Sequence, residues 1–592
     1  MSRDPQTLFN EAERAFSEGR FADACAALAE VEPLASHHPA IPHLRAVAER
    51  RRGELEQSRR AFERALALAP GDPQIANNFG NLLCDLKEFE AALEEYRRAV
   101  RLSPHFGQAG LNAAITLQQL GRLDEARKAF ATLEGQLGGT ASYWAARGAL
   151  EREGGNLSQA AECFEAALAI DPAHRRALVG RARVARAEGD PATAALYEKA
   201  AAADPGDRGL MIEEAEARAA DGEAGAADRL AAAVAEDPSW VQGHDSLARL
   251  RWEMGDREIY LQEIERARAA APQSEALWSC YLRLLADSGD FARAAEAAAE
   301  ADRACGPEAG FALSEAVYAG LAGDDERAER LFASLPADAP NRAAHEARHR
   351  IRRGELDRAE ALLEPLRRDV PADIPAWALT ELVWRATDHP DSAWLSGAPE
   401  FVRVTSLGMS EVEIRALAEF LHSLHRLRAR PLGQSLRGGT QTRHRLFDRR
   451  EPLLARLREA LREHVHAYMA ALPPRDAAHP LLRHREAALD FAGSWSVRLT
   501  GSGHHVSHVH PDGVLSSACY VALPDLDADR QEGWLELGVP PPDLRLPLAP
   551  LALAQPVAGG LALFPSYLFH GTRPFGQGDR LTVAFDMAPA AT

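Results

Sequence analysis

Cysteine is scarce in this chain and is never closely paired. The six cysteines stand at positions 25, 84, 163, 280, 305 and 519 of 592 residues, and no CxxC pair occurs. Such scattered cysteines argue against a disulfide framework and against a zinc knuckle. They favour a reducing compartment, so we expect a cytoplasmic protein.

Long apolar runs and an excess of positive charge are also missing. No stretch of about eighteen apolar residues could span a bilayer, and the first residues lack an apolar signal region. The 68 lysines and arginines are outnumbered by 87 aspartates and glutamates, which gives a net charge of -19. This charge repels nucleic acid and anionic membranes. We therefore expect no nucleic-acid partner and no membrane association.

Internal repetition, by contrast, organises the first two thirds of the chain. Glycines recur about every 34 residues, at positions 19, 53, 121, 155, 189, 222, 255, 289, 323 and 354. Lys87 stands at the one position of this series that has no glycine. Alanines follow most of these positions five residues later, and prolines with the same spacing stop the second helix of each unit. The pattern predicts ten or eleven helical hairpins over residues 5 to about 373.

These units resemble the tetratricopeptide repeat in length and in the placement of their small residues. The resemblance implies an α-solenoid whose concave surface holds a protein or peptide. Asn78 and Asn112 lie one period apart on first helices, and an asparagine amide can both donate to and accept from an extended backbone. Two alternatives stay open: these are solvated polar positions, or the solenoid only supports or dimerises the molecule.

One further motif lies among the repeats. His345 to His349 match HExxH, which in metalloproteases places two zinc ligands on one helical face. No obvious third ligand accompanies them, so we expect a solvated helix face instead.

After the repeats the pattern changes twice. A tryptophan-bearing connector is followed by two predicted helices, one capped by Ser410 and Glu413 and one over residues 451–471. Short β-prone runs then cover residues 495–499, 515–523, 534–537, 561–564 and 581–585. This order predicts a jelly-roll, or double-stranded β-helix, with flanking helices. The fold class is therefore multidomain, an α-solenoid plus an α+β domain, divided at residues 1–373, 374–400 and 401–592.

A candidate metal site lies in the β-prone region. Two ligands one residue apart can lie together at a strand end, and His570 can return from a distant strand. Non-haem iron oxygenases use three such ligands on one face of the metal, which leaves positions open. His508 and Asp512 both stand two residues from His510, so either could complete a triad with His510 and His570. Only Asp512 would give two histidines and a carboxylate.

The surrounding residues resemble the 2-oxoglutarate- and iron(II)-dependent oxygenases. Within them they are most similar to bacterial and phage oxygenases with an HxHP motif, some of which are fused to tetratricopeptide repeats. The resemblance covers residues 395 to 592 and rests on the segments 434–442, 507–511, 516–521, 563–570 and 580–582. In that group the position of Asp512 varies, which favours His508, His510 and His570 as ligands, with Asp512 in place of His508 as the alternative.

The resemblance also implies the cofactors and their contacts. Iron(II), 2-oxoglutarate as co-substrate, dioxygen and ascorbate as reductant are expected. Arg580 would pair with the far carboxylate of 2-oxoglutarate through its planar fork of donors. Thr582, on the same strand face, and Tyr520 would line the same pocket, although aromatic residues on strands are more often ordinary core.

Four more residues are candidates for the substrate pocket: Gln434, Arg437, Gln441 and Trp495. The glycine-rich segment that carries Arg437 and Gln441 could instead only cover the mouth of the barrel, and Trp495 could be ordinary core.

These observations predict an oxygenase that hydroxylates a side chain of a protein or peptide captured by the repeats. Two other functions stay open. One is a non-catalytic scaffold with a structural or sensing barrel, and the other is a metal-dependent cupin enzyme that does not use 2-oxoglutarate. Arg580 disfavours the second, because such an enzyme needs no buried cation for a dicarboxylate tail. The sequence indicates neither the substrate nor an oligomeric state.

Overall fold

The computed structural model describes residues 4–427, 429–449 and 451–590. The chain forms two compact units, and the boundary between them lies after Pro205. Within the described residues no helix has the length and apolar character needed to cross a bilayer.

The first unit consists of helical hairpins, each formed by two antiparallel neighbours in the chain. Asp72 shows how one helix begins: its side chain accepts hydrogen bonds from the backbone N–H groups of Gln74 and Ile75, and Pro73 occupies the first helical turn. Small residues let the helices approach, since a β-carbon on Gly180 would meet the ring of Phe164 at 2.2 Å. The helices are α1 (Pro5–Ser17), α2 (Phe21–Val31), α3 (Ala40–Arg51), α4 (Leu55–Leu68), α5 (Pro73–Asp85), α6 (Phe89–Leu102), α7 (Gly107–Gln119), α8 (Leu123–Leu137), α9 (Ala141–Glu153), α10 (Leu157–Ile170), α11 (Arg175–Glu188) and α12 (Thr193–Ala203).

Lys87 occupies a turn position that needs a left-handed backbone. Its φ is 61°, close to the 80° of Gly53 and the 72° of Gly121 at the equivalent turns. A residue with a β-carbon pays about 1 kcal/mol or more for this conformation, whereas glycine does not. The exposed lysine side chain makes no compensating contact within the described residues.

We therefore expect Lys87→Gly to raise the free energy of unfolding of the first unit by about 1 kcal/mol. Thermal or urea unfolding of the full chain, followed by circular dichroism, measures the change. Lys87→Ala is the matched control, because it removes the same side chain and keeps the strained backbone, so it should not stabilise. A glycine variant no more stable than the alanine variant would contradict the explanation.

The second unit begins with five more hairpins and continues into helices that join the core of the β-domain. Trp377, Trp384 and Leu395 are buried in that core, so the predicted connector is packed helix. The helices are α13 (Arg208–Ala220), α14 (Asp228–Glu236), α15 (Val241–Met254), α16 (Gln262–Ala270), α17 (Glu275–Ser288), α18 (Phe291–Cys305), α19 (Phe311–Ala322), α20 (Asp325–Ser334), α21 (Arg342–Arg352), α22 (Leu356–Asp369), α23 (Ile374–Ala386), α24 (Ser392–Ser396), α25 (Glu411–Leu424) and α26 (Pro452–Ala471).

The expectation for HExxH was only partly right. His345 is exposed on α21, but His349 is 1% exposed and its Nε2 lies 3.2 Å from Glu329 Oε2. Packing of the neighbouring repeat buries this face, which the motif alone does not reveal. Among the described residues the pair belongs to no group of metal-type side chains.

The β-domain consists of two antiparallel sheets. The larger sheet has the order β1-β7-β4-β9-β3-β2 and the smaller has the order β6-β5-β8. The strands are β1 (Arg403–Ser406), β2 (Leu436–Gln441), β3 (Leu489–His505), β4 (Leu515–Ala522), β5 (Leu535–Leu537), β6 (Ala552–Ala554), β7 (Gly560–Pro565), β8 (His570–Thr572) and β9 (Asp579–Pro589).

Alternation along the strands separates the two faces of the larger sheet. Leu561, Leu563 and Val583 share a core with leucines of α25 and α26, so this face packs against the helices. Ala562 and Phe564 instead pack against β5 of the smaller sheet. The opposite face is therefore the interior of a jelly-roll. The predicted fold class, both helices and the capping box at Ser410 are confirmed.

A segment between α25 and β2 lies against the repeats of the second unit. The backbone N–H of Ala429 donates to Glu253 O (3.1 Å), and that of Gly433 donates to Asp287 O (3.1 Å). Leu432 is 3% exposed and lies in the core formed by α15 to α18. Here the repeats hold a stretch of their own chain and are fixed against the β-domain.

Candidate metal centre and co-substrate pocket

Three histidines converge at one end of the barrel. The backbone N–H of His508 donates to His570 O (3.0 Å), and that of His570 donates to His508 O (2.9 Å). This bridge joins the loop after β3 to the start of β8, and His510 follows two residues later. One nitrogen from each ring lies within 4.8 Å of the other two, which makes this a group able to hold a metal ion.

The hydrogen bonds of the rings define which nitrogens face each other. Nδ1 of His508 donates to Val506 O (2.9 Å), and Nδ1 of His570 donates to Leu568 O (3.0 Å). Nδ1 of His510 donates to the carboxylate of Asp586 (2.6 Å). With every Nδ1 engaged in this way, each Nε2 is the unprotonated nitrogen that a metal requires.

The spacing of these nitrogens fits a single ion. Nε2 of His508 and Nε2 of His510 lie 3.0 Å apart. Metal–imidazole bonds of about 2.1 Å at right angles place two nitrogens about 3 Å apart. The donor set is therefore suited to a divalent ion such as iron(II), for which imidazole is a common ligand.

Burial keeps His508 and His570 neutral. Burial, with a smaller effect of His510, lowers the pKa of His508 to about 3. Burial and the neighbouring His508 likewise hold the pKa of His570 well below its usual range. Neutral imidazoles need no deprotonation before they bind a metal.

Asp586 is a functional residue that the sequence reasoning missed. Its carboxylate, 7% exposed, accepts from His510 Nδ1 and also from Ser516 Oγ (2.8 Å). Ser566 Oγ lies 2.9 Å from Ser516 Oγ and extends the network. A carboxylate in this position fixes the ring orientation and increases the basicity of the ligand.

We expect Asp586→Asn to weaken iron binding by about 10- to 100-fold, because the amide keeps the shape but removes the charge beside His510. Anaerobic competition with a chromogenic chelator measures the affinity. Asp512→Asn is the control, since it removes a carboxylate near the same histidines that contacts none of them. An iron affinity of Asp586→Asn equal to that of the wild-type protein would show that Asp586 does not support His510.

Asp512 itself is not part of the histidine cluster. It is exposed in the turn after Pro511, and the group of potential ligands consists of His508, His510 and His570. Of the two ligand sets that the sequence left open, the structure brings together the set of three histidines.

Arg580 lies inside the barrel with an incomplete set of partners. Its side chain is 2% exposed, and Nη1 donates to Gly533 O (2.6 Å). Among the described residues Arg580 Nε and the hydroxyl of Tyr520 have no hydrogen-bond partner, although both are buried. The guanidinium carbon is 5.2 Å from the centre of the Tyr520 ring. Thr582, 6% exposed, pairs with Tyr520 on the neighbouring strand.

These unpaired donors could hold a carboxylate group, such as the far carboxylate of 2-oxoglutarate. Leaving buried polar atoms unpaired is costly, and the cost of a buried charge is greater. An anion that accepts hydrogen bonds from Arg580 Nε and from the Tyr520 hydroxyl would satisfy both groups.

Two more residues near the histidines were not expected to contribute. Ser435 Oγ lies 2.9 Å from His505 Nδ1 and 3.2 Å from His508 Nε2. The rings of His505 and His508 are stacked, with centroids 5.8 Å apart. His505 ends β3 and is half-buried, because Ser435 next to β2 covers it. The similarity of segment 434–442 to the oxygenases was the available signal.

A cleft of about 630 Å³ opens in front of His508 and His510. One wall is the turn between α17 and α18, including Asp287 and Phe291. The other walls include all four predicted pocket residues, which are Gln434, Arg437, Gln441 and Trp495. The ring of Trp495 meets His510 edge-on, with centroids 5.3 Å apart. The segment 436–441, expected as a glycine-rich loop, is the edge strand β2 with a bulge between Arg437 and Gly439.

The two candidate peptide contacts lie in the first unit and already have partners. Asn78 Nδ2 is 2.9 Å from His43 Nε2. Asn112 Nδ2 donates to Asn77 Oδ1 (3.0 Å) and to Asn81 Oδ1 (3.2 Å). They form part of a row of polar side chains across α3, α5 and α7.

Comparison with known proteins agrees with this architecture. A family model described as "Putative 2OG-Fe(II) oxygenase" matches residues 493–586. Tetratricopeptide-repeat models match residues 43–105, 83–150 and 146–208. The chain therefore combines tetratricopeptide repeats with a carboxy-terminal domain of the 2OG-Fe(II) oxygenase type.

Solved structures match part of the chain. YrrB, a TPR protein with an unusual peptide-binding site, is 24% identical over 30% of this chain and 92% of its own, with a TM-score of 0.27. PilF of Pseudomonas aeruginosa is 17% identical over 36% of this chain and 96% of its own, with a TM-score of 0.32.

Proposed function

We propose that the barrel is an iron(II)- and 2-oxoglutarate-dependent oxygenase that hydroxylates a side chain of a protein or peptide. The observation that carries this proposal is the convergence of three imidazoles, each with Nδ1 engaged and Nε2 available. The incomplete partner set of Arg580 in the same barrel supports it.

Each group of residues would have a distinct task. His508, His510 and His570 would hold the metal ion, with Asp586 orienting His510. Arg580, Tyr520 and Thr582 would bind the co-substrate by its far carboxylate. When bound, iron with 2-oxoglutarate and dioxygen supplies an oxidant able to hydroxylate an unactivated C–H bond. Ascorbate would keep the iron reduced. Gln434, Arg437, Gln441 and Trp495 would position the substrate in the cleft.

Arg580 argues against the two competing functions. A purely structural barrel gains nothing from a buried guanidinium with an unpaired Nε, since filling the space with apolar atoms would be more stable. A cupin enzyme that does not use 2-oxoglutarate would likewise need no cation at this position.

The domain limits predicted from the sequence remain part of the proposal: a repeat solenoid over residues 1–373, a connector over 374–400 and the oxygenase over 401–592. We propose that the repeats bind the substrate protein or a separate partner. Asn78 and Asn112 would contribute contacts in the first unit.

The test is co-substrate turnover coupled to substrate oxidation. Full-length protein is incubated with iron(II), ascorbate, dioxygen, 2-oxoglutarate and proteins that it has captured. We expect succinate and a mass gain of one oxygen on a captured protein, both absent with His570→Ala. Succinate no higher than in that variant would favour the scaffold function. His508→Ala should lose activity and Asp512→Ala should keep it; the reverse would assign the third ligand to Asp512.

A further inference from the structure

Three arginines meet at the edge of the active-site cleft. Arg430 Nη1 and Arg437 Nη1 donate to the same acceptor, the carbonyl oxygen of Gln434, over 3.1 and 3.0 Å. The guanidinium groups of Arg430 and Arg257 both lie against the ring of Trp252, at 5.7 and 4.7 Å from its centre. The backbone and the tryptophan thus hold three positive charges close together.

These three arginines lack the carboxylate partners that neighbouring arginines have. Arg249 pairs with Asp287 (2.6 Å) and Arg443 pairs with Glu253 (2.7 Å). Among the described residues no carboxylate lies within ion-pair distance of Arg257, Arg430 or Arg437. Burial, together with the charges of Arg437 and Arg257, lowers the pKa of Arg430 to about 10. An unpaired group of like charges is unfavourable by itself, and an anion bound there would stabilise it.

The position of the arginines connects them to the reaction site. Arg437 and Gln434 line the same cleft as His508 and His510. Ser435, next to Gln434, lies 3.2 Å from His508 Nε2. A substrate held by the arginines would therefore extend from the edge of the cleft towards the histidines.

The shape of the cleft favours an extended chain. A second cavity of about 530 Å³ shares Gln441, Gly493 and Trp495 with the first, so the two cavities adjoin. Pockets for small ligands are about 300–1,000 Å³ in volume, so two adjoining cavities of this size offer room for a longer ligand such as a peptide segment.

We propose that Arg257, Arg430 and Arg437 bind an anionic side chain of the substrate, and that the substrate is a peptide segment carrying such a side chain near the oxidised residue. This inference rests on the proposed function. The anion is a carboxylate or a phosphorylated side chain, since bidentate arginine recognises both.

Binding of labelled peptide pools to the full chain tests the proposal. The pools have the same composition except that one contains aspartate and glutamate, one asparagine and glutamine, and one phosphoserine. Fluorescence anisotropy with manganese(II) and 2-oxoglutarate present should show that an anionic pool binds at least about tenfold more tightly than the amide pool. The preferred anionic pool identifies the source of the anion. Equal binding of all pools would overturn the proposal.

Variants of the arginines test whether these residues cause the preference for anionic peptides. Arg257→Gln together with Arg437→Gln should remove the preference, and Arg437→Lys should retain part of it. Both native side chains are exposed, so these changes spare the core. Arg498→Gln is the control, because Arg498 pairs with Asp579 on the barrel (2.7 Å) and does not line the cleft. An unchanged preference in the double variant would also overturn the proposal.

Failure of this inference is distinguishable from failure of the proposed function. Binding of 2-oxoglutarate to iron(II)-loaded protein produces a visible absorption band that does not depend on the peptide. A normal band with equal peptide binding refutes the anion site alone. An absent band refutes the oxygenase, whatever the peptides do.

Discussion

Replacing His570 with alanine is expected to abolish iron binding and all co-substrate turnover. The change removes one of three converging imidazoles, whereas loss of a mere supporting group costs about 10- to 100-fold in metal affinity. We therefore expect the affinity for iron(II) to fall by more than about 100-fold. Anaerobic equilibrium dialysis with metal analysis measures the bound iron.

His504→Ala is the matched control for this experiment. His504 lies six residues before His510, and within the part of the chain that the structure describes its ring has a single hydrogen bond, to Ser502 O (3.3 Å). The His504→Ala protein should bind iron as the wild-type protein does. A His570→Ala protein that retains a full equivalent of iron would mean that His570 is an ordinary core histidine.

Replacing Arg580 with glutamine is expected to affect the co-substrate far more than the metal. Truncating one partner of a buried charge pair costs about 2–5 kcal/mol, which corresponds to a weakening of 2-oxoglutarate binding of about 30-fold or more. Iron affinity should change by less than about threefold, because Arg580 contacts none of the three imidazoles. Titration of the iron-loaded protein with 2-oxoglutarate separates the two effects.

Two variants make this result interpretable. Arg580→Lys keeps the charge but loses the planar fork, so we expect an intermediate affinity. Arg498→Gln changes a partly exposed arginine on the neighbouring strand and should bind 2-oxoglutarate normally. Equal co-substrate affinity in wild type and Arg580→Gln would remove the support for 2-oxoglutarate, provided that thermal unfolding shows both proteins to be folded.

Much of this architecture is readable from local patterns. The glycine period predicted the turns, and Lys87 fits it because its backbone adopts the same left-handed conformation as the glycines. Ser410 and Glu413 form the predicted capping box. The predicted β-runs all became strands, whereas the glycine-containing edge strand β2 and the short strands β1, β6 and β8 were missed. Three or four residues carry too little periodicity to reveal a strand.

The supporting contacts of the site depend on tertiary structure and were therefore missed. Asp586 reaches His510 from 76 residues away. Its even spacing from Arg580 on one strand was a usable signal, since both then lie on the same face. Ser435 and His505 meet only because β2 pairs with the end of β3. The docking of Leu432 among the repeats has no sequence pattern, because it depends on how two parts of the chain fit together.

The choice between His508 and Asp512 shows where spacing alone fails. Both lie two residues from His510, and only Asp512 would complete a set of two histidines and a carboxylate. The backbone bridge between His508 and His570 orients His508 inward, and the turn at Pro511 exposes Asp512. The pairing of strands distinguishes His508 from Asp512, whereas their spacing from His510 does not.

The most direct test of the account is anaerobic titration of iron(II)-loaded protein with 2-oxoglutarate, followed by visible absorption. We expect a weak charge-transfer band that saturates at one equivalent, is lost in His570→Ala and requires more co-substrate in Arg580→Gln. Wild-type protein that binds iron without developing the band, or a band unchanged in His570→Ala, would contradict the account.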